Sequence, residues 1–179
     1  MIERMINEIN SALDHNLYFS ALALTLALPD VCGKAEYPNL GTIARYKAWY
    51  EQYVGDSIKF NDEGYPNIDK EVAYKLRCCF LHEGNPNIEP GLGIDRFELI
   101  FQEKDPSPSA VEVDDHTTII NCKYWDMFGT DSATGERFYR VNVRSYCEWI
   151  CECVRSYYDE NKAKFSFNYT ILDWEDIKP

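Results

Sequence analysis

The chain is poor in histidine, in paired cysteine spacings, in long apolar runs and in basic charge. Each shortage removes a class of protein. Only three histidines, His15, His82 and His116, occur in 179 residues, so a histidine-built metal centre has little to draw on. The seven cysteines never stand as CxxC, which argues against a zinc ribbon or zinc finger. The most apolar run, Leu17 to Leu28, is about 12 residues, against roughly 20 for a bilayer span. It reads as a buried helix, and no membrane partner is expected. The opening MIERMINEINSALDHN lacks the basic-then-apolar order of a signal peptide. The expected setting is cytoplasmic, with reduced, mostly buried thiols. Eighteen bases against 30 acids give a net charge of −12. A surface that acidic repels phosphate backbones at long range, so an RNA partner needs a locally basic cleft.

What is present is core-forming material. The chain is 45% hydrophobic and 15% aromatic, enough for a sizeable, bulky interior. Residues 1–179 read as one domain. Ile2, Met5, Ile6, Ile9 and Leu13 make a helical stripe over 2–13. A second helix, apolar nearly all round, is expected over 17–28, ended by Pro29 and Gly33. A third is expected over 40–54, with Ile43, Tyr46, Trp49, Tyr50 and Tyr53 as its apolar face. The last spans 144–165, with Tyr146, Cys147, Ile150, Val154 and Tyr157 inward.

Residues 68–85, IDKEVAYKLRCCFLHEGN, are the stretch around which the rest is read. Asn67 is the expected N-cap and Gly84 the C-cap, with Pro86 beyond. Val72, Leu76, Cys79 and Phe80 give an apolar face. Residues 95–143 change character and read as a small antiparallel β insertion before the last helix. Strands are expected over 96–103, 117–125 and 138–143, with a turn at Gly135.

The helix over 68–85 carries Arg77 and His82. This Arg-x4-His spacing near a helix end resembles the motif of the HEPN superfamily. The resemblance covers the helical part, about residues 1–85 and 144–165. It implies a mainly α, HEPN-like bundle of four to five helices. It also implies a homodimer in which motif helices of two protomers meet. In that family the pair serves metal-independent endoribonucleases of toxin or phage-defence systems, and antitoxin-type proteins partner some of them. The resemblance therefore assigns Arg77 and His82 as catalytic, with no cofactor and no metal. Catalytic members carry a polar residue after the arginine, where this chain has Cys78. That departure keeps a second reading open, a non-enzymatic interaction or nucleotide-binding module.

The residue types suit RNA cleavage. An arginine can hold a phosphate by two parallel hydrogen bonds and stabilise its added charge. A histidine can take or give the proton at the 2′ or 5′ oxygen. The geometry is less direct, because residues five apart on an α-helix point about 140° away from each other. The structural alternative puts Arg77 in a salt bridge and makes His82 a helix C-cap. His15 is expected to cap the turn between the first helices. Asp114, Asp115 and His116 are adjacent, so their side chains diverge and make a poor metal site. Cys147, Cys151 and Cys153 are expected to pack, and Cys78, four residues before His82, or Cys79 is a weak candidate nucleophile.

Overall fold

The computed structural model describes residues 1–55, 68–85, 87, 93–101 and 127–166, with positions 170, 172, 174 and 178 beyond them. Among these the fold is mainly helical. Five α-helices occur: α1 (Ile2–Asp14), α2 (Tyr18–Glu36), α3 (Thr42–Tyr53), α4 (Lys70–Cys78) and α5 (Val143–Asn161). A π-helical turn, Cys79–Glu83, continues α4. Strands β1 (Arg96–Ile100), β2 (Met127–Thr130) and β3 (Arg137–Asn142) lie between that turn and α5.

The stripes of α1 and α5 are buried as their spacing predicts. Ile2, Ile6, Ile9 and Leu13 face Tyr146, Cys147, Ile150, Val154 and Tyr157 in one shared core. Phe97, Tyr139 and Val141 of the strands join the same core. In α3, Tyr46, Trp49 and Tyr50 are buried, but Ile43 is 54% exposed. Ile43 lies in the first turn, at the edge of the packed face.

The second helix is longer than its sequence punctuation predicts. It passes through Pro29 and Gly33 and ends at Glu36. Proline lacks an N–H and normally interrupts a helix. Here the surrounding core outweighs that cost, with Leu26, Leu28 and Cys32 all fully buried. Gly33 serves packing rather than termination. A Cβ there would lie 2.7 Å from the Arg45 carbonyl oxygen, so α2 and α3 touch backbone to side-chain-free backbone.

The helix over 68–85 also differs in detail. Its N-cap is Asp69, whose carboxylate accepts the amides of Glu71 and Val72 at 2.8 and 2.9 Å. Gly84 does close it, with φ of +59° in the left-handed region. At the other end of the chain, α5 stops at Asn161, and residues 162–164 tighten into a 3₁₀ turn.

The sheet is mixed, in the order β1-β3-β2. β2, at residues the sequence reading did not mark as a strand, and β3 form an antiparallel hairpin, with the expected turn at Gly135, φ +73°. β1 pairs with β3 in parallel, Arg96 opposite Phe138 and Ile100 opposite Asn142. The wholly antiparallel insertion is thus corrected. Alternation of apolar residues locates a strand but says nothing of its direction. The strand expected over 117–125 lies outside the described residues, as does most of the tail.

Candidate functional site

Asp30 is the hub around which the two motif residues are arranged. Because α2 continues beyond Pro29, Asp30 is held on a helix and not in a loop. Its Oδ2 accepts from Arg77 Nη2 at 2.8 Å. Its Oδ1 accepts from Arg45 Nε and Nη2, both at 3.3 Å. Gly33, one turn further along α2, permits the close approach that brings Arg45 there. The Arg77, Asp30 and Arg45 side chains are 13%, 17% and 20% exposed. One carboxylate against two guanidiniums leaves a local positive excess, in a chain whose net charge is −12.

The π turn solves the angular problem that an α-helix poses. Widening the helix to i→i+5 pairing stacks residues five apart instead of spreading them. His82 Nε2 lies 3.2 Å from Arg77 Nη1. A guanidinium has only donors, so Nε2 accepts in this contact and the ring proton sits on Nδ1. His82 is exposed, while Arg77 reaches inward. Lys75 and Glu83 bridge the same turn at 3.3 Å.

Two aromatic rings frame the guanidinium. Its Cζ is 5.8 Å from the Tyr46 ring centre and 5.7 Å from that of Tyr74, within the range of cation–π attraction. Tyr46 is fully buried, and burial pushes its hydroxyl well above the usual phenol value, the neighbouring Tyr146 adding to this and Arg77 opposing it. The Tyr46 hydroxyl and Arg77 Nε have no hydrogen-bond partner among the described residues. This polar pocket around Asp30 is therefore incompletely satisfied.

Arg77 and His82 are brought together. The structural alternative is met in one half, because Arg77 is in a salt bridge. It is not met in the other, because the His82 ring turns to Arg77. Cys78 is partly buried, and His82 meets Arg77 rather than Cys78. Burial raises the Cys79 thiol, which lies 3.7 Å from Glu83 Oε2. Neither thiol is arranged as a nucleophile.

His15 Nδ1 is 2.8 Å from the Ser11 carbonyl oxygen, and its amide closes α1, so its role is the expected cap. Burial pushes Cys147 and Cys151 up to about 12 each, which makes them packing residues. Asp114, Asp115 and His116 lie outside the described residues. Among those described, no group of three or more His, Cys, Asp or Glu side chains is placed to hold a metal ion, and no helix is long and apolar enough to cross a membrane.

Asp30 and Arg45 are the residues that sequence reasoning passes over. Arg45 looks like any exposed base on α3. Asp30 does carry a signal, since it is the one charge between Leu17 and Gly33. An acid in the middle of a buried run needs a partner. Set against family models, curated proteins and solved structures, the chain matches none.

Proposed function

We propose that this chain is a metal-independent endoribonuclease of the HEPN type, with Arg77 and His82 as its catalytic residues. The observation that carries the reading is the 3.2 Å approach of the two side chains across the π turn. Asp30 acts as a positioning residue, fixing the Arg77 guanidinium by one edge and leaving Nη1 toward His82.

In the resting arrangement Nη1 donates to His82 Nε2. A phosphate oxygen of RNA displaces the imidazole from that donor, since a charged acceptor makes the stronger hydrogen bond. The freed Nε2 lone pair then takes the 2′-OH proton. The 2′ oxygen attacks phosphorus, the bond to the 5′ oxygen breaks, and a 2′,3′-cyclic phosphate and a 5′-hydroxyl result. Arg77 holds the charge that builds on the phosphoryl oxygens. One histidine supplies one proton transfer. The second, to the departing 5′ oxygen, falls to His82 of a second copy in a homodimer, once that ring has left its own Arg77 and taken up a proton from solvent; the first histidine returns its proton to solvent afterwards. An antitoxin-type partner covering this turn would silence the enzyme in the cytoplasm.

The test is cleavage of single-stranded RNA by purified protein in excess chelator. His82→Ala should lower the rate by roughly 10²–10⁴-fold, the usual weight of a general acid or base. Because His82 is exposed, the variant keeps its fold. Wild-type protein that leaves RNA intact, or a variant that cuts equally well, retires the proposal.

A second reading has its own support. The Arg77–Asp30 ion pair occupies one edge of the guanidinium and buries most of it, and Cys78 stands where catalytic relatives are polar. Both favour a non-enzymatic interaction or nucleotide-binding module on the same scaffold. Retained RNA affinity without any cleavage identifies it.

A further inference from the structure

The turn that carries His82 also lines a cavity of about 280 Å³. Its walls include Leu76, Cys79 and Phe80 of the turn and its helix, Phe97 and Leu99 of β1, and Phe19 of α2. The walls are apolar except near Gly84 and Asn85. Phe19 is 61% exposed, yet its ring lies nearly parallel to Phe80, with centroids 5.7 Å apart and planes 12° apart. Phe101, 48% exposed, meets Phe19 edge-on at 5.4 Å and stacks on Tyr18 at 4.9 Å. Four rings thus form one array between the end of β1 and the motif turn. Two of them hold large apolar faces in water, in register with their neighbours.

We propose that the outward face of Phe19 and the adjoining cavity take an unpaired nucleobase, which makes single-stranded RNA the ligand class of the Arg77–His82 site. This rests on the reading above. Position supports it first. Leu76, Cys79 and Phe80 interleave in sequence with Arg77 and His82, and Phe19 stands on the same helix as Asp30, about 16 Å earlier along its axis, a span that a short strand bridges. A nucleotide has the same two-part chemistry, a flat apolar base beside an anionic phosphate. Electrostatics supports it second. A protein of net charge −12 gains little from long-range attraction to a polyanion, whereas stacking on an aromatic face is indifferent to that field. Polarity supports it third. Asn85 Oδ1 accepts the Asn87 amide at 3.0 Å, which fixes the carboxamide and presents its NH₂ group at the one polar corner. Bases inside a duplex are stacked on each other and cannot reach such a face, so the strand must be single.

The experiment uses 2′-O-methyl oligonucleotides, which lack the attacking hydroxyl and report binding apart from cleavage. Fluorescence anisotropy compares a base-bearing strand with an abasic strand of the same length and charge. The base-bearing strand should bind roughly tenfold tighter, the weight of one good stack. Phe19→Ala should erase that difference and leave the residual affinity. Arg77→Met should weaken both strands alike. Equal binding of the two strands to wild type, no binding of either, or a difference that survives Phe19→Ala overturns the proposal. So does a wild-type dimer that Phe19→Ala converts to monomer with no base preference in either, because the rings are then a self-association surface. Cleavage lost in His82→Ala without any base preference removes this subsite and spares the nuclease. Base preference without cleavage does the reverse.

Discussion

Two largely buried arginines, Arg144 and Arg77, hold two corners of the bundle in different ways. Arg144 opens α5. Its Nη2 donates to the Leu13 carbonyl at 2.7 Å and to Asn16 Oδ1 at 3.4 Å. The last carbonyls of α1 lack helical partners, so this guanidinium completes a helix end. Asn16, at φ +57°, turns the chain beneath it. Arg77 instead faces a carboxylate and an imidazole, with Nε unmatched among the described residues. Burial alone does not separate a structural arginine from a working one. Under the proposed nuclease reading the partners do, because a backbone carbonyl is fixed, whereas an exposed histidine can give way to a phosphate.

The largest expected effect falls at the first corner. Arg144→Met removes the charged donor from both the Leu13 carbonyl, which keeps the Asn16 amide at 3.1 Å, and Asn16 Oδ1, and should cost about 3 kcal/mol, the upper range for hydrogen bonds to a charged group. Urea denaturation measures it, and RNA affinity per folded molecule should not change. Gly33→Ala comes next. The added Cβ meets backbone and not a flexible side chain, and overpacking of this kind costs roughly 1–3 kcal/mol. The same change pushes Arg45 off Asp30, so RNA binding should weaken with stability. Arg77→Met is smaller in stability, about 1–2 kcal/mol, because Asp30 keeps the Arg45 guanidinium and is not left as an unpaired charge. It should nevertheless weaken the binding of base-bearing and abasic strands alike. If Arg77→Met costs more stability than Arg144→Met and leaves RNA binding intact, the comparison is inverted.

An exposed pair on the sheet supplies the lower bound. Arg137 donates from its side chain and its amide to Asp95 and holds that carboxyl at about 2, below its ordinary 3.8. A lowered folded value stabilises above the unfolded value. The contribution is therefore present above about pH 4 and fades as pH falls toward 2. The melting-temperature gap between wild type and Asp95→Asn should be small at neutral pH and close on acidification. A gap that widens on acidification contradicts this sign.

The apolar stripes of α1 and α5 were legible because solvent touches only one side of each helix. Ile2 to Leu13 and Tyr146 to Tyr157 needed nothing beyond their 3.6-residue spacing. The end of α2 was hidden because a helix apolar on all sides has no period to lose. Its glycine marks a close approach to another chain segment, which no local pattern announces. The motif pair was visible as residue types. Its convergence was not, since the π turn has no signature in the spacing of Cys78 to Glu83. Asp30 and Arg77 stand 47 residues apart, and only tertiary packing introduces them.

A π turn is an α-helix carrying one residue more than its pitch can seat. Removing a single residue between Cys78 and Leu81 would let the segment relax to ordinary pitch. Each helical residue turns the axis by about 100°, so in the shortened helix the arginine and the histidine would stand four apart, about 40° from each other on one face. The extra residue of the π turn thus lets a pair written five apart meet as a pair four apart would. Removing one residue should keep the imidazole beside the guanidinium, whereas inserting one should carry it about 100° away.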